Sequence, residues 1–346
     1  MKRLALLALA LFCLASAPVR AADPFYKGKT IRIVISTGVA GGYMEYARAL
    51  ARHLTPHLAG NPGFVVESMP GAGGLLAANY LYANAPRDGL TMAMVHSTIP
   101  LAPLWGGGGA RFDALKFNWL GALDRADGVC TVWHTSPVKT WADMQSRELT
   151  VGSMGVGSPT EVYPAVLNRY FGTEIKVIGG YHSGTEVDLA VERGELEGRC
   201  GTHLNTYKAM RANWISQGLV RVPVVFAEQR LPDYPDAPSV LELTGDETIR
   251  QQIELIMTTQ YLDRPMLMPP GVPHERVAEM NAALAEVAAD PALHADLARS
   301  NFTFNYADAA DMATRLRRAY SYPAETVNAV RAWMGAPQDP PAMKTP

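Results

Sequence analysis

Two stretches of the chain carry the same chemistry: an apolar run ends in a glycine-rich turn that opens directly onto a helix. The first runs from Thr30 and turns through Ser36, Thr37, Gly38, Val39, Ala40, Gly41 and Gly42 before the helical run from Tyr43 to Leu50. The second runs from Leu149 and turns through Ser153, Met154, Gly155, Val156, Gly157, Ser158 and Pro159 before Thr160 to Leu167. At such a turn the unpaired backbone N–H groups meet the positive end of the helix dipole, and Pro159 suits a first helical turn. Each turn is therefore a half-site for an anion, needing neither lysine nor arginine. Set against this is the plainer reading of a tight strand-to-helix turn that binds nothing.

Other chemistries find less support. A phosphate-cradling loop would end in Gly-Lys-Ser or Gly-Lys-Thr, and none occurs. Gly71-Ala-Gly73 and Gly155-Val-Gly157 both lack the third glycine or alanine of a dinucleotide fingerprint. No Gly-x-Ser-x-Gly elbow seats a hydrolase nucleophile. His53 and His57 have the four-residue spacing of a metal pair on a helix, but no third ligand is near in sequence, and a solvated face explains them better. His182 and His203 read as loop residues and as hydrogen-bond donors to a pocket, not as bases. The run Pro70 to Gly74 is a third glycine-rich helix start, equally a binding loop or a close approach of strand and helix. Tyr43, Trp105, Tyr181 and Tyr207 are either pocket aromatics or packing residues. No cofactor, metal site or catalytic residue is expected.

The elements that hold these turns alternate. Strands are expected at Thr30 to Ser36, Phe64 to Ser68, Thr91 to His96, Val129 to His134, Leu149 to Gly152, Ile175 to Ile178 and Val220 to Phe226. Helices are expected at Glu45 to His57, Gly74 to Ala83, Val162 to Phe171, Thr185 to Glu192, Asp246 to Tyr261, His274 to Ala289, Pro291 to Ser300 and Ala307 to Ala319. This order describes an α/β protein with parallel sheets covered by helices. Phe112 to Asp127 reads as one crossing between domains and Ala227 to Pro235 as a second. Two crossings predict a discontinuous first domain, 23–124 with 227–346, around a second domain, 125–226, with the C-terminal helices packed back on the first.

Of 346 residues, the first 22 combine Lys2 and Arg3, an apolar run from Leu4 to Ala15 and small residues at the exit, the pattern of a secretory signal. Export to the periplasm is the expectation. Leu11 and Phe12 before Cys13 do not suit lipid attachment. The remaining chain exceeds what one core comfortably supports, which favours two domains. Lys plus Arg number 31 against 33 Asp plus Glu, with no basic patch, so nucleic acid is a poor partner. In an oxidising compartment Cys130 and Cys200 read as a disulfide, with two buried thiols as the alternative.

In this setting the residues resemble the periplasmic substrate-binding receptors of tripartite tricarboxylate transporters, the Bug receptors. The resemblance rests on Phe25 to Val34, Gly41-Gly42 with Ala47 to Leu50, Met69 to Gly73, Ala85 to Gly89, Gly155 to Pro159, Gly194 to Glu197, Leu231 to Pro238 and Pro269 to Pro273, in that order and spacing. It implies a type II periplasmic-binding fold, two α/β domains joined by a two-strand hinge with the ligand cleft between them. It also implies a small carboxylate, held chiefly by backbone and hydroxyl groups, and closure read by membrane subunits of a tripartite transporter. Carried over by position, the site comprises Ser36, Thr37, Gly38, Ala40, Gly41, Gly42, Tyr43, Ser97, Thr98, Ser153, Gly155, Val156, Gly157, Ser158, Thr160, Tyr181, His182, Ser183, Thr202 and His203. The chain departs from the family pattern at Thr37 to Ala40, Met44, Glu161 and Gly180 to Glu186, which leaves the ligand open. The expected receptor is a monomer and not an enzyme. Its rivals are an exported lyase or hydrolase using His182, His203, Glu161 or Glu186 as acid and base, and a sensory receptor that hands its closed form to a signalling protein.

Overall fold

A computed structural model of the protein describes residues 23–105, 109–125 and 127–334. The secretory signal expected over 1–22 and the glycines at 106–108 lie outside the described residues. Among the described residues, eleven strands form two sheets. The strands are β1 (Thr30–Ile35), β2 (Gly63–Ser68), β3 (Thr91–Met94), β4 (Asn118–Asp124), β5 (Gly128–Trp133), β6 (Glu148–Gly152), β7 (Glu174–Ile178), β8 (Gly198–His203), β9 (Val220–Phe226), β10 (Asp263–Met268) and β11 (Ala307–Asp308). The first sheet runs β11-β4-β10-β3-β1-β2 and the second β7-β6-β8-β5-β9.

Burial explains which strands are central. In β1, Ile31, Ile33, Val34 and Ile35 are fully buried, as a parallel strand covered on both faces requires, whereas the edge strand β2 alternates exposed with half-buried positions. One face of the first sheet packs Ile33, Ile35 and Met266 against Leu50 and Leu54 of α1 (Gly42–Leu54) and Leu284 of the C-terminal helix that spans His274–Ala289. The other face packs Val34 and Leu267 against Leu75 and Leu81 of α2 (Leu75–Ala83) and Leu316 of the helix Ala309–Tyr320. Thus the C-terminal helices return to the first sheet.

Four strands were not legible in the sequence: the two-residue β11, whose residues read as the start of the helix that follows, and three that each have a physical reason. The first expected crossing, Phe112 to Asp127, contains β4, whose Leu120, Ala122 and Leu123 are buried; the chain passes between the sheets only after Asp124. Strand β8 reads as a loop because of Gly198 and Gly201. A Cβ on Gly198 would lie 3.1 Å from the Val132 Cα, so the neighbouring strand can approach only a glycine. His203 is consequently the last residue of this strand and not a loop histidine. Strand β10 is masked by Asp263, Arg264 and Pro265, although all six of its residues are buried. At its C-terminal end, the helix expected over Asp246 to Tyr261 stops at Met257 and tightens into a 3-10 turn, Thr258–Leu262.

Cys130 on β5 and Cys200 on β8 face each other across the antiparallel pair and form a disulfide. Close to the crossings, Arg125 and Arg315 lie on the Tyr261 ring, 4.7 and 4.8 Å from its centroid, which ties the hinge to the first lobe. Among the described residues no helix is long and apolar enough to cross a membrane.

Candidate functional site

Three helix starts converge on one cavity between the lobes. Helix α1 follows β1 through the first glycine loop. Helix α3 (Trp141–Ser146) is remote from it. Helix α4 (Pro159–Phe171) follows β6 through the second loop, and α5 (Gly184–Glu192) follows β7. β1 and β6 occupy equivalent places in the two sheets, and both loops leave the carboxyl ends of parallel strands, where open α/β sheets bind their ligands. Neither α1 nor α4 has a side chain capping its first turn; α1 keeps the first N–H groups of its start, whereas at α4 Pro159 has no N–H and Glu161 N donates to Ser158 O, which leaves Thr160 N.

The second loop uses its hydroxyls on itself. Ser158 Oγ and Thr160 Oγ1 are 2.8 Å apart, Thr160 Oγ1 accepts from Met154 N at 2.9 Å, and Ser153 Oγ accepts from Gly155 N at 3.0 Å. All three side chains are fully buried, while Val156 at the tip is 66 % exposed. Around α5, Ser183 Oγ caps the helix by accepting from Glu186 N, and the Glu186 carboxylate accepts from His182 N at 2.9 Å.

The two lobes touch at their rims through backbone. Gly38 N donates to His182 O at 2.7 Å. Gly73, at φ 61°, lies so close to the second loop that a Cβ there would be 2.7 Å from Ser158 N. Pro70 to Gly74 is therefore a close approach, but between lobes and not between its own strand and helix. The cavity beneath these contacts measures about 50 Å³, room for a few waters, and the lobes meet across its mouth.

Of the predicted site residues, Thr37, Ala40, Gly41, Gly42, Tyr43, Thr202 and His203 line this cavity. Ser36, Ser97 and Thr98 are buried behind it, with hydroxyls that meet no partner. Gly38, His182, Val156 and Gly157 form the rim, and Tyr181 packs against the apolar cluster that includes Trp214 and Tyr207. Of the aromatic candidates, Tyr43 and Tyr207 reach the cavity, whereas Trp105 belongs to the core. His53 and His57 are remote from it: His53 Nε2 is 3.0 Å from Asp296 and His57 Nδ1 is 3.1 Å from Glu286.

The sequence reading missed the charged lining altogether. Arg264 pairs with Asp263 and with Asp124 Oδ2 at 3.5 Å, lies over the Tyr46 ring at 4.1 Å, and donates to Thr206 of the opposite lobe. Asp263 Oδ2 is also 2.7 Å from His203 Nδ1. Burial alone would raise the Asp263 carboxyl, but Arg264 and His203 beside it outweigh burial and hold it below the usual carboxylate range. On the second lobe, Asp188 accepts from Arg199 Nη1 at 3.2 Å and faces Arg211 Nε at 3.1 Å. His96 is buried and its Nδ1 lies 2.8 Å from Gly73 O; burial pushes the imidazole down to about 4, against the carbonyl, so Nδ1 carries the proton and Nε2 is left buried without a partner. A signal for these residues existed only as arginines next to acids in strand-like runs, and the partners are far apart in sequence.

The acid and base candidates of the enzyme reading do not meet. Glu186 caps a helix, His182 sits at the exposed rim, and His203 is bound to Asp263. The half-buried Glu161 carboxyl is raised by burial, partly offset by Ser153. Among the described residues no group of three or more histidine, cysteine or acidic side chains is arranged to hold a metal.

Residues 46–320 match the family described as the tripartite tricarboxylate transporter family receptor. A Cupriavidus necator protein, the UPF0065 protein in the gbd 5' region, is 28% identical over 237 residues, 66% of this chain and 69% of its own. The periplasmic binding protein BugD superposes with a TM-score of 0.70 at 18% identity, over 88% of this chain and 98% of its own. MatC from Rhodopseudomonas palustris, solved with bound malate, gives a TM-score of 0.65 at 17% identity, over 89% and 99%. The shared architecture is two α/β lobes around a cleft, the type II arrangement. With most of its length matched, the chain belongs to the receptor family of the tripartite tricarboxylate transporters.

Proposed function

We propose that the protein is an exported, non-catalytic receptor that captures a small organic carboxylate between its lobes in the periplasm and delivers it, closed, to the membrane subunits of a tripartite transporter. The observation that carries this is the convergence of the starts of α1, α4 and α5 on one interlobe cavity, with uncapped backbone donors at two of them. A carboxylate there meets N–H groups of the first and second glycine loops, and the hydroxyls of Ser153, Ser158 and Thr160 keep the second loop in shape. That MatC binds malate in a fold of this kind supports the ligand class. Glycines at the rim allow the lobes to meet backbone to backbone, and the closed shape is what a membrane partner would read.

The test is the melting temperature of the ligand-free mature chain against mono-, di- and tricarboxylates, with amides and sugars as controls. Ligand at 100 times its Kd adds about 2.7 kcal/mol, a shift of several degrees. A shift confined to a subset of carboxylates is expected. No shift with any carboxylate would remove the reading. In the double variant Ser158→Ala with Thr160→Ala, binding should weaken at least ~10-fold, about 1.4 kcal/mol, because the loop loses the bonds that shape it.

A further inference from the structure

The charges on the second-lobe wall do not balance. Asp188 on α5, Arg199 on β8 and Arg211 just after the helix Leu204–Met210 all line the cavity, with side chains 4%, 10% and 16% exposed. One carboxylate serves both guanidiniums, Oδ1 facing Arg199 and Oδ2 facing Arg211. Among the described residues neither arginine has a second acid within ion-pair distance, so the trio carries one positive charge in excess. With Arg264, Asp263 and Asp124 on the first lobe the buried cluster counts three arginines and three acids, so the positive excess is local to this wall, and an anion placed between Arg199 and Arg211 is favoured there.

Two further observations point the same way. Arg199 Nε, Thr185 Oγ1 and Thr202 Oγ1 are buried on this wall without hydrogen-bond partners. The Arg199 guanidinium also lies across the first residue of α5: a Cβ on Gly184 would be 2.5 Å from its central carbon. The cation and the positive end of a nine-residue helix therefore act on the same space.

We infer that Arg199 and Arg211, sharing Asp188, hold a second anionic group of the ligand, and that the protein selects ligands carrying at least two negative charges for this reason. The inference rests on the cavity being the receptor site, and it assigns the second charge to side chains where the family resemblance implies backbone and hydroxyl groups. Arg211 is the residue to probe, since its loss leaves Arg199 and Asp188 as a matched pair.

Titration calorimetry would compare succinate, malate, adipate, citrate and phthalate with the monoamides of succinate, malate, adipate and phthalate, using wild type, Arg211→Gln and Arg211→Lys. Wild type is expected to bind its best dianion at least ~100-fold tighter than the matching monoamide. Arg211→Gln should weaken the dianion at least ~30-fold while moving the monoamide less than ~3-fold, and Arg211→Lys should restore most of the loss. A dianion-to-monoamide ratio unchanged in Arg211→Gln, with only its melting temperature lowered, would make the trio structural and overturn the assignment alone. A wild type that binds monoamides as tightly as dianions would do the same. Binding of no carboxylate of either charge would overturn the receptor reading and this assignment with it.

Discussion

The two lobes are built on one plan and charged differently. In strand order, β2-β1-β3-β10-β4 of the first sheet has the same layout as β7-β6-β8-β5-β9 of the second, and each places a glycine loop at the cleft after its first parallel strand. On the first lobe Arg264 faces two acids, Asp263 and Asp124, and an aromatic ring, all buried. On the second lobe two arginines face one acid at the cavity wall. The first cluster has an acid to spare, holds β10 to β4 and α1, and reaches across to Thr206 and His203 of the second lobe; the second has an arginine to spare. What the comparison teaches is that a shared scaffold fixes where a ligand lies, while the local count of charges decides what kind of ligand the wall accepts.

The comparison breaks most readily at Arg264. Arg264→Met leaves Asp263 and Asp124 buried without their cation and should cost about 3–5 kcal/mol in denaturant unfolding, whereas Arg211→Gln should cost far less. Equal costs would show that the clusters do not differ in kind. Next in size is the disulfide, which the first lobe lacks among its described residues. It closes a sequence separation of 70, and replacing both cysteines by alanine should lower stability by roughly 4 kcal/mol.

His96 supplies a pH test of the first lobe. Its folded value, about 4, is below the ordinary value near 6.5, so the unfolded chain binds the extra proton first. Its contribution is fully present above about pH 6.5 and is lost as pH falls toward 4, at up to about 1.4 kcal/mol per pH unit. A Tm that declines across this window in wild type and less steeply in His96→Gln is expected; parallel profiles would count against a neutral buried imidazole. The smallest effect belongs to the rim. Gly73→Ala places a methyl against Ser158 N, so closure should weaken and affinity fall about 10-fold, or 1.4 kcal/mol, beside a modest loss of Tm from an alanine held at φ 61°.

The parts of the fold that were legible in the sequence are those whose stability comes from local pattern. The helix His274–Ala289 and the strand Val220–Phe226 lie where periodicity puts them, because their buried faces recur at helical or strand spacing. Strands β4, β8 and β10 were hidden because their glycines, charges and proline make sense only against a neighbour: Gly198 against β5, Asp263 against His203, Arg264 against Tyr46. The same holds for the site. The glycine loops could be read because a turn onto a helix is a local object. Arg199 and Arg211 could not, since each becomes part of a binding wall only when β8 and the chain after Met210 bring it to Asp188.

Small-angle scattering of the ligand-stripped protein tests capture between closing lobes most directly. The radius of gyration should fall when a binding carboxylate is added, and fall less in Gly73→Ala at the same ligand occupancy. Saturating binding to wild type with no change in the scattering curve would contradict closure around the ligand.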